Sequence, residues 1–121
     1  MRKELRLSKA RDFAAVRKGG RRWVDDLLVL MARPNGLEVT RTGYVVSSRV
    51  GGAVIRNRVK RRFREAMRLS EVNPGWDLVL FARRKAAYAD YQRLRGSLSR
   101  LLGNAGLARR GDSQTPPPGT R

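Results

Sequence analysis

The sequence contains no cysteine and no histidine among its 121 residues. Without cysteine, a disulfide framework, a thiolate zinc site and a thiol nucleophile are all excluded. Without histidine, the chain lacks the commonest general base and metal ligand, so an active site of its own would depend on carboxylates, lysines and hydroxyls. We therefore predict neither catalytic nor metal-ligating residues in this chain.

Long apolar segments are also missing. The longest apolar run, residues 27–32, is far too short to span a bilayer, and residues 1–17 contain no stretch that resembles a signal peptide. The simplest interpretation is a cytoplasmic protein.

Acidic residues are scarce, and the resulting excess of positive charge indicates a negatively charged binding partner. Ten Asp and Glu stand against 28 Lys and Arg, which gives a formal net charge of +18. Such a charge repels itself unless a polyanion or salt offsets it, so nucleic acid or an anionic membrane is the expected partner. The 40% hydrophobic content is ordinary for a folded domain and counts against a fully disordered basic chain.

Hydrophobic patterns and turn residues predict the order helix, three strands, helix, strand, helix. Ser8 is a candidate N-cap for the first helix and Asp90 for the last. The predicted strands cover residues 27–33, 37–41, 44–49 and 77–81. This order indicates a single-domain α+β sandwich, residues 1–102, with helices against one mixed sheet. Residues 103–121 are rich in glycine and proline, and we predict that Gly103 ends the last helix and begins a disordered tail.

The strongest helical pattern follows Gly51 and Gly52. Its apolar residues recur every four positions and fall within an arc of about 120°; they are Ile55, Val59, Phe63 and Met67. Asn57, Arg61, Arg64 and Arg68 line the opposite side, flanked by Arg58 and Arg62. Like charges at this spacing repel one another, so the arrangement makes physical sense if bound phosphates neutralise it.

The same segment resembles a known family. Residues 51–61, read with the preceding strand at residues 43–49, resemble the signature of the bacterial ribonuclease P protein component, whose hallmark is the Arg-Asn-Arg motif found here at residues 56–58. The resemblance extends over about residues 5–102.

This resemblance implies a small basic subunit of a ribonucleoprotein that removes the 5′ leader from precursor tRNA. It implies two partners, the catalytic RNA of ribonuclease P and precursor tRNA, and no obligate protein partner. The RNA subunit would carry catalysis and hold most of the Mg²⁺, with no organic cofactor. The resemblance also implies an uncommon left-handed crossover in the sheet, against the general rule.

The resemblance further implies roles for individual positions. The residues expected to face the catalytic RNA are Arg56, Asn57, Arg58, Lys60, Arg61, Arg62, Arg64 and Arg68. The residues expected to line a cleft for the single-stranded leader are Phe13, Arg17, Met31, Ser47 and Arg49. Arg17 and Met31 stand where relatives often carry aromatic residues, so guanidinium contacts would partly replace stacking there.

Other interpretations stay open from the residues alone. A general RNA-binding or ribosomal protein could use the same basic helix. A nuclease that acts without RNA is disfavoured because the carboxylates are scattered, and the adjacent pair Asp25 and Asp26 would point to opposite faces of a strand. Membrane binding through the basic helix is disfavoured because its narrow apolar face is needed for the core. Phe13 could equally be a core residue.

Overall fold

Residues 6–109, which the computed structural model describes, contain three α-helices and four strands in the predicted order. In chain order the elements are α1 (Ala10–Gly19), β1 (Arg21–Val24), β2 (Leu28–Pro34), β3 (Arg41–Val45), α2 (Ala53–Arg68), β4 (Trp76–Ala82) and α3 (Tyr91–Asn104). A 3-10 helix at Arg84–Tyr88, which the sequence analysis does not predict, separates β4 from α3. The α+β class and the order α-β-β-β-α-β-α are confirmed.

The four strands form one mixed sheet in the order β1-β2-β4-β3. β1 pairs with β2 and β2 with β4 in antiparallel fashion, whereas β3 runs parallel to β4. A parallel pair needs a crossover connection, and α2 supplies it between β3 and β4. The mixed sheet is thus confirmed, and the left-handedness of its crossover stays a prediction.

One of the predicted strands was wrong and another is shifted. Residues 37–41 form a loop up to Thr40 because the Asn35 side chain closes it, accepting from Leu37 N at 2.7 Å and donating to Val39 O at 3.1 Å. The chain therefore does not turn back as a hairpin on β2. The strand predicted at residues 44–49 lies instead at Arg41–Val45. β1 is an additional edge strand.

The two faces of the sheet are covered unequally. α2 and α3 pack on one face, where Phe63, Leu30 and Leu80 belong to the larger hydrophobic core. On the other face the ten-residue α1 places Val16 against Met31 and Val79 in a smaller cluster. The short helix leaves part of this second face uncovered.

The end of α3 differs from the prediction. Gly103 lies inside the helix with open space around it, and Gly106 at φ +74° ends it. Leu107 N donates to Leu102 O at 3.0 Å and Gly106 N to Gly103 O at 3.1 Å, which is the Schellman arrangement that favours glycine.

Residues that follow the helix are packed, so the predicted domain boundary after Leu102 was wrong. Leu107 is 3% exposed and accepts a backbone hydrogen bond from Asn73, while Arg109 N donates to Glu71 O. The folded unit extends at least to Arg109, and the rest of the predicted tail lies outside the described residues.

One of the two predicted N-caps is confirmed and the other is not. Asp90 caps α3 as expected, its Oδ1 accepting a hydrogen bond from Arg93 N at 2.9 Å. Ser8 does not cap α1, because the helix begins one residue later, and its N-cap Lys9 makes no side-chain bond.

Candidate nucleic-acid interface

The two faces of α2 are divided as the periodicity predicts. Val59, Phe63 and Met67 are buried against the sheet and α3, and Ile55 packs partly on the same core. Asn57, Arg61, Arg64 and Arg68 are all exposed, and we call these four residues the α2 basic row. Burial of the apolar stripe therefore fixes which way the cations point.

Two of the three arginines in the α2 basic row have no salt-bridge partner among the described residues. Among the described residues, Arg68 is the one member of the α2 basic row with a salt bridge, to Glu65 at 2.5 Å. This pair lowers the pKa of Glu65 and raises that of Arg68, chiefly through the side-chain hydrogen bond between them. Arg61 and Arg64 carry the least compensated charge of the row.

Arg58 and Arg62 have a second role that the sequence analysis does not predict. Arg58 Nη2 donates to Ala87 O at 3.3 Å and Arg62 Nη1 donates to Ala89 O at 2.8 Å. Both side chains are half-buried and tie α2 to the 3-10 helix and the residue after it. Each guanidinium has five N–H donors, so one bond to a carbonyl leaves others for an external acceptor.

Lys60 and Arg64 share a pocket with residues from α1 and β3. The pocket has a volume of about 160 Å³ and is lined by Arg6, Leu7, Phe13, Thr42, Gly43, Tyr44, Lys60 and Arg64. The Arg64 guanidinium lies 5.8 Å from the centre of the Tyr44 ring, within the range of a cation–π contact. The pocket therefore joins the cations of α2 to the aromatic wall formed by Phe13.

Tyr44 is itself held in place by this arrangement. Its ring stacks on Phe63 with centroids 6.4 Å apart. Burial raises the pKa of Tyr44 to about 12, although Arg64 and Arg6 act in the opposite direction. The phenol is therefore neutral at physiological pH and can donate a hydrogen bond.

Phe13 lies half-buried at the edge of the smaller core cluster. Its ring rests on Gly43 so closely that a Cβ there would lie 2.5 Å from Phe13 Cε1 and Cζ. Only glycine at this point of β3 lets the ring approach the sheet. Phe13 thus packs against the smaller core cluster and also lines the pocket that contains Lys60 and Arg64.

Next to Phe13 lies a partly uncovered strip of the sheet, which we call the α1 cleft. Its floor consists of Val29, Phe81 and Val45, which are register neighbours on β2, β4 and β3 and are all half-buried. The Arg17 guanidinium lies 5.6 Å from the centre of the Phe81 ring. Sequence analysis missed these floor residues because β2 and β4 read as continuous apolar runs, which do not show which face stays open.

Three of the predicted cleft residues lie elsewhere than expected. Met31 is 8% exposed beneath α1, so it supports the cleft from below and does not line it. Ser47 and Arg49 are exposed in a turn after β3 and not on the strand, because the pairing of β3 with β4 ends at Val45 and Phe81. Val50 N donates to Ser47 O at 3.0 Å and closes this turn.

The sequence model of the ribonuclease P family, described as "Ribonuclease P", matches residues 1–106. The chain belongs to the ribonuclease P protein family. Membership gives it a role in ribonuclease P, a tRNA-processing ribonucleoprotein, and implies partnership with the ribonuclease P RNA.

Individual relatives are similar in sequence to this chain over nearly its whole length. The ribonuclease P protein component of Roseiflexus castenholzii is 41% identical over 119 residues, covering 96% of this chain and 98% of the relative. That of Dehalococcoides mccartyi is 37% identical over 115 residues, covering 95% and 96%.

Solved structures of family members share the fold. A ribonuclease P protein from Staphylococcus aureus superposes with a TM-score of 0.80 at 28% identity, covering 87% of this chain and 98% of that one. The protein from Thermotoga maritima gives 0.74 at 33% identity, covering 80% and 94%.

The ribonuclease P family raises the question of a metal ion. Within residues 6–109 no three potential ligand side chains among Asp and Glu lie close enough together to hold one. Asp25, of the adjacent acidic pair, is occupied in the fold: it accepts from Leu27 N, Ser97 Oγ and Arg100 Nη2. The described residues therefore do not supply a magnesium site with three carboxylate ligands. In the same part of the chain, no helix is long and apolar enough to cross a membrane.

Proposed function

We propose that this chain is the protein subunit of a ribonuclease P holoenzyme that binds both the catalytic RNA and the single-stranded 5′ leader of precursor tRNA. The α2 basic row, with Arg56 and Lys60, contacts the catalytic RNA. The α1 cleft takes the leader. Hydrolysis belongs to the RNA subunit, which also holds the Mg²⁺, and the complex works in the cytoplasm.

The shared pocket of Phe13, Lys60 and Arg64 is the observation that carries this proposal. It places an aromatic wall and uncompensated cations at one site, on the boundary between the α1 cleft and the α2 basic row. An unpaired nucleotide presents a flat base and a charged phosphate, which match an aromatic ring beside cations. Two strands of nucleic acid, one on each side of this boundary, would be brought together.

The physical effect of the chain is electrostatic. Catalytic RNA and precursor tRNA repel each other through their phosphates, and Arg61 and Arg64 lie where they would neutralise phosphates on the RNA side. Each neutralised phosphate releases condensed counterions, so binding is strong at low salt and weakens as salt rises. The chain therefore raises the affinity of the RNA for its leader-bearing substrate without performing the chemical step.

Arg58 and Arg62 support this role from within the fold. Their bonds to Ala87 O and Ala89 O hold both guanidinium groups beside the α2 basic row. A guanidinium that is already oriented loses less conformational entropy on binding a phosphate than a free one. The Arg-Asn-Arg motif thus combines an oriented cation with the exposed amide of Asn57.

Reconstitution tests the proposal. The purified chain is combined with a bacterial ribonuclease P RNA and precursor tRNA, and leader removal is followed over a series of magnesium concentrations. We expect the chain to shift cleavage to lower magnesium than the RNA alone requires, and the chain without RNA to leave the substrate intact.

Two outcomes would contradict the proposal. If the chain binds RNA but does not stimulate the ribonuclease P RNA, it is a general RNA-binding or ribosomal protein. If the chain alone removes the leader, and does so in proportion to its own concentration after further purification, catalysis does not belong to the RNA.

A further inference from the structure

Tyr88 is an exposed aromatic residue that the proposed contacts do not use. It is 86% exposed at the end of the 3-10 helix, more than any other large hydrophobic side chain in the described residues. Its neighbours are buried, with Ala87 at 6% and Ala89 at 1%. The exposure of Tyr88 therefore belongs to a firmly packed segment and does not reflect a loose loop.

The structure also fixes where the backbone at Tyr88 lies relative to α2. Ala87 O accepts from Arg58 and Ala89 O accepts from Arg62, so the backbone on both sides of Tyr88 is bonded to arginines of α2. Tyr88 is thereby anchored through its backbone neighbours to the helix that carries the Arg-Asn-Arg motif.

Cations accompany Tyr88 on the 3-10 helix. Residues three apart eclipse one another in a 3-10 helix, so Lys85 and Tyr88 share an edge. Lys85 and Arg84 are exposed, and neither makes a salt bridge within residues 6–109. An aromatic ring flanked by free cations is the combination that holds an unpaired nucleotide, with the base on the ring and the phosphate on the cation.

We infer that Tyr88 is a stacking platform for an unpaired base of the catalytic RNA, with Lys85 and Arg84 contacting the adjoining phosphates. This inference rests on the proposed function. The catalytic RNA is assigned, and not the leader, because Tyr88 is tied to α2, which packs on the face of the sheet opposite α1 and Phe13. The 3-10 helix would widen the RNA contact from one helix to two elements.

Substitutions at Tyr88 test the inference in equilibrium binding to a bacterial ribonuclease P RNA. Stacking on an aromatic side chain contributes about 1–3 kcal/mol per base, so Tyr88→Ala should weaken binding about 5- to 150-fold. Tyr88→Phe keeps the ring and should bind like wild type. Because no charge changes, the salt slope of Tyr88→Ala should match that of wild type, whereas Lys85→Ala should lower it by about 0.7–0.9.

Leu37→Ala is the matched control. Leu37 is also exposed, at 47%, but lies in the loop next to the start of β4, at the opposite end of that strand from the 3-10 helix. It should not change RNA binding. Thermal unfolding of Tyr88→Ala should match that of wild type, because the side chain makes little contact within the fold.

The outcomes separate this inference from the proposed function. If wild type binds the RNA with a steep salt slope but Tyr88→Ala binds equally well, the inference is wrong and the proposed function stands. If wild type does not bind the RNA, the proposed function is wrong, and the inference that rests on it is wrong as well. If Tyr88→Ala weakens only the binding of precursor tRNA, the platform serves the leader and the inference is wrong.

Mapping the RNA near position 88 by directed cleavage gives a second, independent test of the inference. Since the chain has no cysteine, Tyr88→Cys introduces a unique thiol for a tethered hydroxyl-radical probe. In the reconstituted complex we expect strand cuts in an unpaired stretch of the catalytic RNA. Cuts confined to the tRNA would overturn the assignment.

Discussion

Replacing Gly43 by alanine would displace the wall of the α1 cleft without touching any cation. The new Cβ would lie 2.5 Å from Phe13 Cε1 and Cζ and 3.2 Å from Leu7 Cβ. Carbon atoms pack at about 3.5–4.0 Å, so the ring must retreat by about 1 Å or swing out toward solvent. The atoms in the way are the far edge of a side chain, which can move more cheaply than backbone.

We expect two consequences of different size. Overpacking costs about 1–3 kcal/mol of folding stability, and the low end applies because Phe13 is only half-buried. A loss of about 1 kcal/mol corresponds to a fall of about 4 °C in Tm. If Phe13 stacks on a leader base, losing its position removes about 1–3 kcal/mol from the preference for precursor over mature tRNA, a factor of about 5 to 150.

The assay compares the affinity of the reconstituted holoenzyme for precursor and mature tRNA, alongside the affinity of the chain for the RNA subunit. Gly43→Ala should reduce the first ratio and leave the second affinity close to wild type. Gly96→Ala is the control: it meets nothing within 4 Å in α3 and should stabilise the fold by about 0.5–1 kcal/mol with no change in preference. An unchanged preference for precursor in Gly43→Ala, with a measurable loss of stability, would refute a leader contact by Phe13.

Further predictions concern stability. Asp77 is 1% exposed and accepts from Arg41 Nη2 at 2.7 Å and Asn35 Nδ2 at 2.9 Å; burial acts to raise its pKa, but these bonds outweigh burial and lower it. Stability should therefore be full above about pH 4 and fall as the pH drops through the lowered pKa, a fall that Asp77→Asn should diminish. Asp77→Asn should itself cost about 2 kcal/mol at neutral pH in urea unfolding, because it removes the nearer carboxylate of Arg41 and leaves Asp12 at 3.8 Å, and wild-type stability in this variant would contradict the assigned pair. Leu107→Ala should cost about 2–3 kcal/mol, and truncation after Leu102 should cost more; equal stability of truncated and full chains would show that residues 103–109 do not belong to the core.

The sequence predicts α2 well because most of its apolar and cationic residues fall on opposite faces. The apolar stripe from Ile55 to Met67 has a single face, and the cations occupy the rest, so burial of one set exposes the other. The cap at Asp90 and the leucine face of α3 are equally local, and both are confirmed. These features depend on positions that are close in the sequence, although the local signals at Ser8 and Gly103 did not hold.

Errors occurred where distant residues decide the local structure. The Asn35 side chain bonds to Asp77, 42 positions away, and holds the loop that sequence analysis took for a strand. β1 was missed because two arginines precede Trp23, and only its pairing with β2 makes it a strand. Met31 cannot be assigned to a buried or an open position before the extent of α1 is known.

The salt dependence of RNA binding tests the central claim most directly. Equilibrium binding to a bacterial ribonuclease P RNA is measured over a range of salt for wild type, for the double variant Arg61→Ala with Arg64→Ala, and for Arg21→Ala with Arg22→Ala on the edge strand β1 as a charge-matched control. We predict that the α2 double variant lowers the slope of log K against log salt by about 1.4–1.8, while the β1 double variant leaves the slope unchanged. A slope in the α2 double variant equal to that of wild type would contradict the assignment of α2 as the RNA-binding element.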